Sequence, residues 1–140
     1  MLIQSQDSHL VILGGDFNAI LNQNEKIGGI FPPIKTIQDF AQFFENNDLM
    51  DIQPSNGNFT WTNRRSGFAK IAVRLDRFLL SHDWKLGNFY FHIEILSAPK
   101  FDHFPIFINI DQFASIDHNQ HKSSFKFEKC GCVTHIFFHF

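Results

Sequence analysis

The stretch His9-Leu-Val-Ile-Leu-Gly-Gly-Asp-Phe-Asn-Ala-Ile20 constrains this chain more than any other, because an apolar run ends abruptly in two glycines and then offers an acid and an amide. The run from Leu10 to Leu13 suits a strand covered on both faces, and Gly14-Gly15 permit a tight exit or the close approach of another group. Asp16 and Asn18 share the same alternation parity, so extended geometry sends both side chains to one side. A carboxylate there can polarise a water, and an amide can donate to a phosphoryl oxygen as charge develops. The plain alternative is a polar turn, since Gly, Asp and Asn are ordinary loop residues.

Two later segments weigh against that alternative. Val73-Arg-Leu-Asp-Arg-Phe-Leu-Leu-Ser81 embeds Asp76 in an otherwise apolar, strand-like run, and Asp102-His103 precedes a second such run, Phe104-Pro-Ile-Phe-Ile-Asn-Ile110. An acid inside an apolar strand needs a partner. Asp76 accepting a hydrogen bond from the His103 imidazole supplies one, fixing the tautomer of the ring and favouring its protonated form near a phosphate.

The order Gly-Asp-Phe-Asn, Phe-Thr-Trp, Arg-Leu-Asp-Arg-Phe-Leu, Asp-His-Phe-Pro-Ile resembles the endonuclease/exonuclease/phosphatase family, in wording closest to the endonuclease domain of plant LINE-type (non-LTR) retrotransposons. The resemblance spans Leu10 to Ile110. It implies an α/β (α+β) fold, the C-terminal part of a DNase-I-like four-layer sandwich with mostly antiparallel sheets flanked by helices. It also implies Mg²⁺-dependent hydrolysis of a DNA phosphodiester, with Mn²⁺ as the alternative ion. Carried onto this chain, Asp16 orients or deprotonates the attacking water and Asn18 holds the phosphate. Asp102 helps bind the metal, and His103, oriented by Asp76, stabilises the transition state.

The chain departs from the family pattern in two places. Phe101 stands where the family usually has Ser or Thr before the Asp-His pair. The family also places a metal-binding Glu well before the Gly-Asp-Phe-Asn motif, whereas all four glutamates here, Glu25, Glu45, Glu94 and Glu128, follow Asp16. The expectation is a domain lacking its N-terminal half and impaired as a nicking endonuclease. The alternatives are a phosphatase of the same fold acting on a small phosphoester, and a catalytically silent retrotransposon-derived remnant.

A chain of 140 residues, 44% hydrophobic, can bury one core. Most of its 19 Phe read as core rather than as base-stacking platforms. A net charge of −2 argues against strong nonspecific attraction to DNA, although a local basic patch is compatible with it. The one such patch mid-chain is Asn63 to Lys70, a hairpin carrying Arg64 and Arg65. In the resembled family this hairpin reaches the DNA, so both arginines are candidate DNA contacts, and a solvated charged turn is the other reading. No apolar run is long enough to span a membrane and no signal segment opens the chain, which reads as soluble and intracellular, with the nucleus a candidate compartment.

Ile37, Phe40, Ala41 and Phe44 fall at helical spacing and predict an amphipathic helix of about three turns, started by a Thr36/Asp39 capping box and ended near Asn46-Asn47. Short strands are expected over Leu49 to Ile52, Asn58 to Thr62 and Asn88 to Leu96, and a Ser81-capped helical turn through Leu86. Glu25 reads as a surface loop acid and Trp61 as core. Residues 1–112 form the domain, and 113–140 a degenerate linker or tail. In that tail Cys130 and Cys132 are too close in sequence for an ordinary disulfide, and their spacing with His135 and His139 only superficially suits zinc.

Overall fold

The computed structural model describes residues 2–4, 10–87 and 89–112. The tail, with Cys130, Cys132, His135 and His139, lies outside them. The described residues form a mixed α+β fold of small antiparallel sheets with one long helix. The largest sheet has four strands in the order β1 (Leu2–Gln4), β2 (Val11–Asp16), β7 (Asp76–Ser81) and β4 (Leu49–Asp51). A three-stranded sheet joins β3 (Lys26–Ile27), β6 (Ala72–Val73) and β5 (Trp61–Thr62). A long two-stranded ribbon pairs β8 (Phe89–Ile95) with β9 (Ile106–Gln112). Among the described residues no helix is long and apolar enough to cross a membrane.

Strand β7 is the centre of the packing. Its period-two alternation sends Phe78 and Leu80 to one face, where they meet Ile12 and the β8–β9 ribbon through Ile93, Ile106 and Ile108. The alternate residue Leu79 points to the opposite face, against Leu49 and Phe44 of helix α1 (Ile34–Asn46), with Leu13, Phe17, Leu21 and Phe40 around them. Helix, four-stranded sheet and ribbon are therefore three successive layers. Gly14 is Gly because the Phe78 ring lies across it, and a Cβ at that position would sit 2.6 Å from Phe78 Cε1.

The helix forms where its apolar stripe predicts, but it starts differently. Ile34 is its first residue and Pro33 its N-cap, with no side-chain cap, so Thr36 lies inside the first turn and the expected capping box is absent. Proline just before the first turn supplies a preset φ and loses no hydrogen bond there. The far end is as expected, with Asn47 as C-cap and its side-chain amide donating to the Phe43 carbonyl at 2.8 Å. Ser81 likewise precedes a 3-10 turn, His82–Leu86, without capping it, and its hydroxyl instead accepts the Val11 N–H at 3.1 Å. The run from Val73 to Ser81 is broken after Val73, and the break turns Arg74 inward.

What that break builds is a buried group of four charges. Arg74 and Arg77 are each about 1% exposed, and between them lie Glu25 and Asp51. Arg74 grips Asp51 with both terminal nitrogens, at 2.6 and 2.8 Å, and reaches Glu25 at 3.3 Å. Arg77 donates to both oxygens of Glu25 and, at 3.1 Å, to Asp51. Glu25 is thus not the surface acid its polar loop suggests, since two cations offset the cost of burying it. Burial pushes the Glu25 carboxyl up, but the Arg77 hydrogen bond and charge, the Leu21 N–H and the Arg74 charge outweigh burial and hold it below the 4.5 of an unperturbed glutamate.

Two predictions follow from this packing. Gly14→Ala should cost about 1–3 kcal/mol by overpacking, and the cost should shrink in a Phe78→Leu background; additivity of the two changes in urea unfolding would refute the contact. A folded pKa lower than the unfolded one makes the Glu25 contribution complete above about pH 4.5 and lost as pH falls through the folded value. The stability gap between the parent and Glu25→Gln should therefore close below that pH. A gap of constant size from neutral pH down to strong acid would contradict the ion-paired glutamate.

Candidate functional site

Strands β2 and β7 end side by side, with Asp16 and Asp76 as register partners. Parity with Ile12 and Phe78 sends both carboxylates to the ribbon side of the sheet. There they meet His103, which belongs to the segment between β8 and β9. That segment is fixed by backbone bonds to β5 and its approach: Phe104 N–H donates to the Thr60 carbonyl at 2.7 Å, Thr62 N–H to the Asp102 carbonyl at 2.9 Å, and Trp61 and His103 form a single bridge. His103 Nδ1 lies 3.1 Å from Asp76 Oδ2, and Nε2 lies 4.0 Å from Asp16 Oδ2. A carboxylate can only accept, so Nδ1 carries the proton toward Asp76 and Nε2 faces Asp16 and the open side.

Thr60 fixes this arrangement from beneath. It is fully buried, and its hydroxyl accepts the N–H groups of both Leu75 and Asp76 at 2.9 Å. The sequence offered no sign of that role beyond a Thr in a strand-like stretch.

Asn18 stands beside the pair in the left-handed region, at φ 51°, where Asn is tolerated better than most residues. Its N–H donates to Asp16 Oδ1 at 2.8 Å, an Asx turn that holds motif and carboxylate together. Asn18, His103 and Lys26 border an open cleft of about 630 Å³ whose other walls are largely apolar, including Ile20, Phe31, Pro32, Trp61 and Leu75. Polar donors at one side and an apolar wall at the other suit a ligand with an anionic group on a less polar body.

Asp102 is exposed. Its Oδ2 accepts the Trp61 indole N–H at 3.3 Å and its Oδ1 accepts the His103 N–H at 3.2 Å. Its own backbone N–H and the Trp61 N–H hold its carboxyl below the usual aspartate value. Trp61 is accordingly only half-buried, tying Asp102 in place and forming cleft wall rather than filling the core. Among the described residues no group of three His, Cys, Asp or Glu stands where it could hold a metal ion. Asp102, the residue that the resemblance assigns to Mg²⁺, is engaged by the Trp61 and His103 N–H groups.

The basic hairpin divides its two arginines. Arg64, at φ 58°, turns back and donates through Nη2 to the Ala98 carbonyl at 2.9 Å and through Nη1 to the Pro99 carbonyl. It pins the hairpin to the segment that carries Asp102 and His103. Arg65, Phe68 and Lys70 are all exposed on the same hairpin. Comparison of the chain with family models, with curated proteins and with solved structures gives no match.

These partners separate the hairpin cations experimentally. If the hairpin meets DNA, Arg65→Ala should lower the dependence of binding on salt by about one phosphate contact, whereas Arg64→Ala should leave that slope unchanged. Equal losses of slope in the two variants, measured by fluorescence anisotropy on a short duplex, would show that Arg64 leaves its carbonyls for phosphate.

Proposed function

We propose that the chain holds a phosphodiester of DNA in the cleft beside Asp16, Asn18 and His103 and is a weak endonuclease of the endonuclease/exonuclease/phosphatase type. The observation that carries this reading is the Asp76–His103–Asp16 chain, with His103 hydrogen-bonded to a buried carboxylate at one nitrogen and open at the other. The layering of helix, sheet and ribbon supports assignment to a DNase-I-like sandwich, of which the described residues would supply three layers.

Each residue then has a task set by its chemistry. The Asp16 carboxylate orients a water and takes its proton as the water oxygen bonds to phosphorus and the ester P–O bond breaks, the departing sugar oxygen taking a proton from solvent, while the Asn18 amide donates to a phosphoryl oxygen. His103, held by Asp76, donates from Nε2 to phosphate when protonated, as charge builds on it. The apolar wall receives the sugar, and Arg65 and Lys70 meet the backbone of the duplex. In the resembled family Mg²⁺ would offset charge on the phosphoryl group; among the described residues no three His, Cys, Asp or Glu gather for it, and no step of this account passes through it.

A second reading, in which the cleft binds phosphate esters without turnover, draws on the same cleft of polar donors beside an apolar wall. Nicking of supercoiled plasmid separates the two. Weak nicking that falls roughly 100-fold or more in His103→Ala, the scale of losing one donor to the developing charge, supports the enzyme. Asp16→Asn should also abolish it. Binding of duplex by the parent with no nicking above the Asp16→Asn level supports the silent reading. Nicking that survives both substitutions would remove the site from consideration.

A further inference from the structure

The buried charges on the helix side of the sheet touch the loop that carries Asn18. Arg77 Nη2 donates to the carbonyl of Ala19, the next residue, at 3.2 Å. The same guanidinium holds both oxygens of Glu25, and Glu25 Oε2 accepts the Leu21 N–H at 2.7 Å. Arg77 thus grips the loop at its start, and through Glu25 at its end. Arg77 itself has little freedom, being about 1% exposed, 5.6 Å over the Phe40 ring and bonded to the Arg74 carbonyl.

Asn18 occupies a left-handed conformation that a free loop would visit only part of the time. Three successive anchors hold it there: Phe17 N–H to the Leu75 carbonyl at 3.0 Å, Asn18 N–H to Asp16, and Ala19 carbonyl to Arg77. We propose that Arg77, paired with Glu25, is a positioning residue that sets the Asn18 amide beside Asp16 and His103 and so fixes the affinity of the cleft for phosphate. Residues 76 and 77 then serve one site from opposite faces of the sheet, Asp76 by orienting the histidine and Arg77 by orienting the loop. This inference rests on the reading of the cleft as a phosphate-ester site.

Removing Arg77 alone would leave Glu25 buried beside a single shared cation and endanger the fold. The double variant Arg77→Met with Glu25→Leu removes one charge of each sign and leaves the two-pronged Arg74–Asp51 pair intact. The experiment titrates inorganic phosphate into the full chain and follows the Asn18 side-chain amide by NMR, with melting and amide exchange measured alongside. The parent should show saturable shifts at Asn18, and the double variant should bind phosphate at least tenfold more weakly while still melting cooperatively. In an Asn18→Ala background, where the parent affinity is already reduced, removing the pair should cause no further loss. Exchange at the Asn18 N–H should quicken at least tenfold in the double variant, with exchange at Leu79 and Leu80 unchanged.

Additive losses in the Asn18→Ala background, or unchanged Asn18 exchange, would overturn the positioning role. Should the parent show no phosphate shifts, or shifts that Asn18→Ala leaves intact, the phosphate reading fails and with it the effect on affinity; the exchange pattern then decides by itself whether Arg77 tethers the loop. A double variant that does not melt cooperatively would show that the pair is needed for the fold as a whole, which also overturns a role confined to positioning.

Discussion

Strand β7 is paired on both sides, with β2 and β4, and its two faces carry opposite chemistry. Phe78 and Leu80 build the core under the ribbon, while Arg77 and Leu79 face the helix. Because side chains alternate with period two, a one-residue slip against β2 would exchange the faces, placing Arg77 under the ribbon and Asp76 against the helix. Neither charge would find a partner. The register that pairs Asp16 with Asp76 is therefore fixed by hydrophobic burial along the strand and by the cost of unpaired charge at its end.

Given that register, the site needs only one long-range closure. His103 is brought to the carboxylates by the β5 segment, through the Thr60 and Thr62 backbone bonds, the Trp61 indole on Asp102 and the Arg64 fork on the Ala98 and Pro99 carbonyls. Thr60 serves both partners of the dyad, since its hydroxyl holds the Asp76 amide and its carbonyl holds the amide after His103. The hairpin that carries Arg65 is consequently built into the same framework as the histidine. A contact at the hairpin tip acts on a segment with few ways to move independently of the dyad.

The broad class of fold, the helix stripe and the main strands were legible because each rests on local periodicity. Phe40 and Phe44 do lie against the sheet, and the runs into Asp16 and from Asp76 are strands. Capping was not legible, because Pro33 starts the helix by conformation while Thr36 and Asp39 offered only a matching pattern. The charge cluster was hidden for a different reason. Glu25 lies in a polar loop, and its partners come 49 and 52 residues later, inside a run that reads as an apolar strand. Arg64 shows the same limit from the other side, since a basic turn residue gives no sign that its donors will meet carbonyls 34 and 35 residues away.

The account depends most directly on the direction in which His103 is held. With Asp76 accepting from Nδ1, the neutral ring must carry its proton on Nδ1 and leave Nε2 bare toward Asp16 and the cleft. The ¹⁵N shifts of the His103 ring, recorded at a pH where it is neutral, report this tautomer directly. The Nδ1–H form in the parent, shifting toward the Nε2–H form that free histidine prefers once Asp76→Asn removes the charge, is the predicted result. An Nε2–H tautomer in the parent, or ring shifts indifferent to Asp76→Asn, would contradict it.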